Sequence, residues 1–187
     1  MTVSQLLFAA VAIWMTVGLM VSVVAGVGVF LEDLSPGLNN FWRSRPINTS
    51  QWFVVKYSVG LLVTIVTLAV PLLAIGFYAW VSPDEISTLN MRSNEEIRTT
   101  AVIGGLGQIV VYNCAVAAIV LLRRPIHAAF AAIAVALLAW VILVLITEIF
   151  FSRGSQEIVI FTLVGCSMVA TFVVAWLAVK NDWGWKR

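Results

Sequence analysis

Residues 101–151 read AVIGGLGQIVVYNCAVAAIVLLRRPIHAAFAAIAVALLAWVILVLITEIFF, two long apolar runs, 101–122 and 126–151, parted only by Arg123-Arg124-Pro125. A helix crosses the ~30 Å hydrocarbon layer with about 20 apolar residues, and each run reaches that length. Inside lipid no water bonds the backbone, so a continuous run of this kind satisfies its own N–H and C=O groups only as a helix. Arg123-Arg124-Pro125 leaves room for nothing but a tight turn. The stretch reads as a transmembrane helical hairpin.

Three further runs of the same kind lie outside it, at about 6–31, 52–81 and 158–179. The expected fold is an all-α integral membrane protein, residues 1–187 forming a single bundle of five transmembrane helices. Composition agrees: 61% of residues are hydrophobic, 11% are charged and mean hydropathy is +1.03. A soluble globular domain is nearer one half apolar. The formal charge of +2 comes from basic residues at the edges of the runs, so no nucleic-acid partner is expected.

Orientation follows from those basic residues. Arg43, Arg45, Lys56, Arg123, Arg124, Lys180, Lys186 and Arg187 fall on one side, and Arg92, Arg98 and Arg153 on the other. The richer side belongs in the cytoplasm. The N-terminus is then outside and the C-terminus inside. The first run is far longer than the roughly 7–15 residues of a signal-peptide core and is expected to remain as a span.

Residues 32–56, EDLSPGLNNFWRSRPINTSQWFVVK, form the polar interruption on the cytoplasmic side. Leu34, Leu38, Phe41 and Trp42 recur at helical spacing, with Asn39, Asn40, Arg43 and Arg45 opposite them. This is the pattern of a short amphipathic helix lying on a membrane surface. Pro46 ends it, and Asn48 with Gln51 has the spacing of a capping box that opens the next helix. Spacing alone fits an ordinary interfacial loop with Trp anchors equally well.

The order acidic pair, Pro-Gly, amphipathic piece, Arg-Pro-Ile, aromatic and then Lys56 resembles the first cytoplasmic loop of type-2 ATP-binding cassette exporter permeases. The resemblance implies that residues 34–45 are a coupling helix docking a separate ATP-binding subunit through Leu34, Leu38, Phe41, Trp42, Arg43 and Arg45. Pro46 and Lys56 would mark the start of the following helix. It further implies a second permease copy as partner within a lipid bilayer, such as a bacterial inner membrane. Family members have six spans with this loop between the second and third. Here it falls between the first and second, so the chain resembles a permease lacking its first span, or a short form. A non-transporting membrane scaffold or assembly subunit is the competing reading.

The chain has no G-x-x-x-x-G-K-[ST], and Gly104, Gly105 and Gly107 do not make a dinucleotide fingerprint. They read instead as a close-packing site. Cys114 and Cys166 lack ligand-spaced companions and His127 is the only histidine, so no metal, cofactor or His-based catalysis is expected. Gly18, Ser22 and Gly26 form a small-xxx-small stripe that admits a close helix, within the chain or in a second copy. Pro71 should kink its helix and free the carbonyl near Thr67. Gln108, Asn113 and Glu148 are polar residues within spans, candidates for a pathway or for interhelical bonds. Residues 82–100 suit a plain solvated connection better than a partly helical lid.

This topology predicts that a single cysteine at Ser87 reacts with an impermeant thiol reagent added to intact cells, whereas one at Ser44 does not. Labelling at Ser44 contradicts it.

Overall fold

A computed structural model describes residues 3–31, 48–81, 91–150 and 156–181. Five helices make up these residues: α1 (Val3–Leu31), α2 (Thr49–Val81), α3 (Met91–Leu122), α4 (Pro125–Phe150) and α5 (Gln156–Lys180). No strand occurs among the described residues. Three stretches, Ile13–Leu31, Thr49–Val70 and Gly104–Leu122, are long and apolar enough to cross a membrane, which marks the chain as a membrane protein. Within the described residues α4 and α5 contribute the shorter apolar stretches Pro125–Ala139 and Val164–Lys180. The surface of the described residues carries many large apolar side chains: Val24, Leu62, Leu73, Phe130 and Val169 are all exposed. Such a surface suits lipid as its solvent.

The helix ends follow local chemistry. Asn48 caps α2, its Oδ1 accepting the Ser50 N–H at 3.0 Å while its carbonyl accepts the Trp52 N–H at 3.0 Å. Such a cap stabilises a helix by about 1 kcal/mol. At the same end of the bundle α3 stops at Leu122, where Arg123 takes a left-handed conformation, φ 53°. Its N–H still bonds the Ile119 carbonyl at 2.9 Å. The Arg124 carbonyl accepts the Ala128 N–H at 2.8 Å, which leaves Pro125 at the first helical position, where a missing N–H costs nothing.

α3 begins earlier than its apolar run. Residues 91–100, read above as part of a solvated connection, are helical. No Gly or Pro interrupts the chain between Met91 and Gly104, and its Arg and Glu residues are good helix formers. The helix therefore continues past the apolar boundary. Residues 82–90 lie outside the described residues, as do 32–47, which include the proposed coupling segment with Leu34, Leu38, Phe41, Trp42, Arg43, Arg45 and Pro46.

α3 is the central helix and touches the other four. Residues 111–117 are buried along its whole circumference. Met15 meets Gly104, Gly18 meets Gln108 and Gly26 meets Ala115, so α1 and α3 run parallel. α2 runs against α1, with Trp14 beside Thr67 and Phe30 beside Phe53. On α4, Ala128 and Ala132 are fully buried and Ala136 packs beside them.

The tightest backbone approach is at Gly26. A Cβ there would lie 2.7 Å from the Ala115 methyl and 2.8 Å from the Tyr112 carbonyl oxygen. Gly28, one face around the same helix, has nothing within 4 Å. Gly26→Ala should therefore force α1 and α3 apart and cost about 1–3 kcal/mol. Gly28→Ala should be neutral or stabilise by up to about 1 kcal/mol, since alanine is the better helix former. Thermal unfolding of the two variants in detergent checks this; equal melting temperatures would refute the close contact.

Candidate functional site

The buried polar groups gather around α3. Tyr112 lies over the bare backbone of Gly60, where a Cβ would stand 2.6 Å from its hydroxyl, and that hydroxyl donates to the Tyr57 carbonyl at 2.6 Å. The Tyr57 hydroxyl in turn donates to Asn113 Oδ1 at 2.7 Å. Asn113 completes its bonding by donating Nδ2 to the Ile109 carbonyl of its own helix at 2.8 Å. Two neighbouring residues of α3 thus clasp one residue of α2 from both its backbone and its side chain. An interhelical bond in lipid contributes roughly 0.6 kcal/mol, so the pair acts mainly by fixing register.

Aromatic rings surround this clasp. The Tyr57 ring lies 5.5 Å from that of Tyr112, tilted by 56°, and meets Phe172 of α5 edge-on at 4.8 Å. Phe53 joins Phe30 at 5.5 Å and Phe172 at 5.7 Å, and Phe30 meets Trp52 at 5.6 Å. Phe30, Phe53 and Tyr112 are fully buried. Each such pair contributes about 0.5–1.5 kcal/mol beyond burial, and together they tie α1, α2, α3 and α5 where α2 begins. On the rim of the same end, Lys180 Nζ sits 5.0 Å from the centre of the Trp176 ring.

A second polar device lies farther along α2. That helix is continuous from Thr49 to Val81 and passes through Pro71. Proline has no N–H to return to the carbonyl four residues back, which is Thr67. Trp14 of α1 supplies the missing donor: its Nε1–H bonds the Thr67 carbonyl at 3.0 Å. The Thr67 hydroxyl bonds the Val63 carbonyl at 2.9 Å. Neighbouring helices and hydroxyls commonly repair a proline in a membrane helix this way.

The small-residue stripe faces α3. Ser22 is buried and its hydroxyl donates to the Gly18 carbonyl at 2.8 Å. Gly18 itself makes room for the side chain of Gln108, whose atoms occupy the space a Cβ would need. Gln108 is completely buried, and neither its carboxamide oxygen nor its nitrogen has a hydrogen-bond partner.

The sequence candidates therefore separate. Gly18, Ser22, Gly26 and Gln108 come together at the α1–α3 seam, while Asn113 is committed to Tyr57. Glu148 lies in the final turns of α4, and its side chain is outside the described residues. Lys56 is half-buried about two turns into α2. Cys114 is buried, Cys166 and His127 are exposed, and among the described residues no three His, Cys, Asp or Glu side chains come together. Sequence reading missed Tyr57 and Trp14. The freed carbonyl of Thr67 was the signal for Trp14, because it required some N–H donor from another helix.

Trp14→Phe removes the donor and keeps the ring, so it should cost about 0.5–1.5 kcal/mol. Pro71→Ala restores an N–H to the Thr67 carbonyl, and in that background Trp14→Phe should cost close to nothing. A double-mutant cycle on detergent unfolding reads the coupling. Strict additivity would show that the two residues act independently.

No protein-family model matches the chain, and neither a curated protein nor a solved structure was found to resemble it.

Proposed function

We propose that the chain is a membrane-spanning permease subunit, or part of one, of an ATP-binding cassette exporter. ATP hydrolysis is supplied by a separate subunit that docks on residues 34–45, and two permease copies pair around the pathway. In this reading all five helices span the bilayer of a cell membrane, the bacterial inner membrane in particular, with the N-terminus outside and the C-terminus in the cytoplasm. The observation that carries the proposal is the order of residues in 32–56, from the acidic pair through Arg45-Pro46-Ile47 to Lys56.

The placement of that segment supports it. It joins the end of α1 to the start of α2, where the aromatic cluster binds four helices into one block. A push delivered there would move α1 and α2 together, and the Trp14–Thr67 bond ties the two again farther along. The competing reading, a multi-pass scaffold that transports nothing, draws on the same clasp. Tyr57, Tyr112 and Asn113 direct their polar groups to one another and to backbone carbonyls, as a structural clasp does.

The two readings part on the docking segment. Phe41→Ala with Trp42→Ala should loosen its seat on the bundle, since buried aromatic anchors often cost above ~2 kcal/mol when truncated to alanine. Arg43→Glu with Arg45→Glu should weaken association with the ATPase. Pull-down of an ATPase encoded beside this chain, and transport-coupled ATP hydrolysis at matched membrane levels, should fall in both double variants. Wild-type association and coupling in both would favour the scaffold.

A further inference from the structure

We propose that Gln108 is the floor of a small polar binding site between α1 and α3, stoppered by Met15. The site takes a neutral hydrogen-bonding molecule of about the size of water. The inference rests on the bundle itself and does not require the transport reading.

Gln108 differs from the buried polar side chains around it. Ser22 bonds the Gly18 carbonyl, Thr64 bonds the Gly60 carbonyl, Tyr112 bonds the Tyr57 carbonyl, and Asn113 uses both ends of its amide. Gln108 is as deeply buried and uses neither end. Its carboxamide keeps two donors and an acceptor free, in a part of the bundle where lipid supplies no partner. The carbonyl of Gly18, the α1 residue against which Gln108 packs, already receives the Ser22 hydroxyl.

The approach to Gln108 is unusually bare. In the turn before it, α3 carries glycine at 104, 105 and 107. Nothing lies within 4 Å of the Cβ position of Gly107, and only a Leu68 methyl, at 3.4 Å, comes near that of Gly105. The notch at Gly104 is filled by the thioether end of Met15. Methionine is unbranched with three rotatable bonds, so its tip withdraws more readily than a branched side chain. Withdrawal opens a notch four residues, about 6 Å along the helix, from Gln108. Gly104–Leu122 contains no charged residue, so the site recognises a neutral guest through paired donor and acceptor contacts and does not hold an ion.

The probe is water. The chain has four glutamines, Gln5, Gln51, Gln108 and Gln156, so 15N-glutamine labelling of the full chain in lipid nanodiscs resolves few side-chain amides. Gln108→Asn assigns the signal, because the conservative variant removes one labelled carboxamide while keeping an amide in place. Wild type should show a water cross-peak at the Gln108 carboxamide, several-fold stronger in Met15→Ala and weaker in Met15→Ile, whose β-branch stiffens the stopper. A Gln108 carboxamide that stays dry in both wild type and Met15→Ala would overturn the proposal. So would a cross-peak of the same strength in wild type and both Met15 variants.

Discussion

The bundle depends on the approach of two parallel helices without side chains between them. At Gly26 the backbone of α1 comes against the Ala115 methyl and the Tyr112 carbonyl of α3, closer than any side chain would permit. Lipid offers no hydrophobic force to press helices together, so dispersion between closely fitted surfaces must do so. That requirement explains why the small residues of α1 lie on one face and why the opposite face, with Val17, Val24 and Met20, is left to the surroundings. Among the described residues α3 is also the one helix that touches all the others.

Once α1 and α3 are set, the remaining contacts fix register more than they add attraction. The clasp of Tyr112 and Asn113 on Tyr57 allows α2 a single position against α3, because a slip by one residue would strand a hydroxyl and a carboxamide in an apolar interior. The bond from Trp14 to Thr67 does the same between α1 and α2 near Pro71. Rings of Phe30, Phe53, Tyr57 and Phe172 fill the space between these polar points. The result is a block tied firmly where α2 begins and glycine-rich toward the start of the Gly104–Leu122 stretch.

Much of this was legible in the sequence, for a physical reason. Helix existence in lipid follows from apolar length alone: four of the five runs fall within helices, and the fifth, 126–151, is helical through Phe150, the last of its described residues. The spacing of Gly18, Ser22 and Gly26 identified a face, and the missing N–H of Pro71 identified a carbonyl in need of a donor. Partners were not legible, because they depend on how far one helix is shifted along another. Nothing local says that Gly18 meets Gln108, or that Trp14 is the donor for Thr67. Gln108 and Asn113 look alike as polar residues in one apolar run, yet the clasp satisfies one and leaves the other unpaired. The polar start of α3 was misread for a different reason: it lacks apolar periodicity, and its helix is carried by propensity and by continuity with Gly104–Leu122.

The other helices are placed by the parallel seam between α1 and α3, and solid-state NMR of the 13C-labelled chain in lipid bilayers tests that seam without altering a residue. A parallel seam gives a cross-peak between Gly26 Cα and the Ala115 methyl, together with one between Gly104 Cα and the Met15 methyl. Absence of both, or Gly26 paired instead with Gly104 in the reverse order, would contradict it.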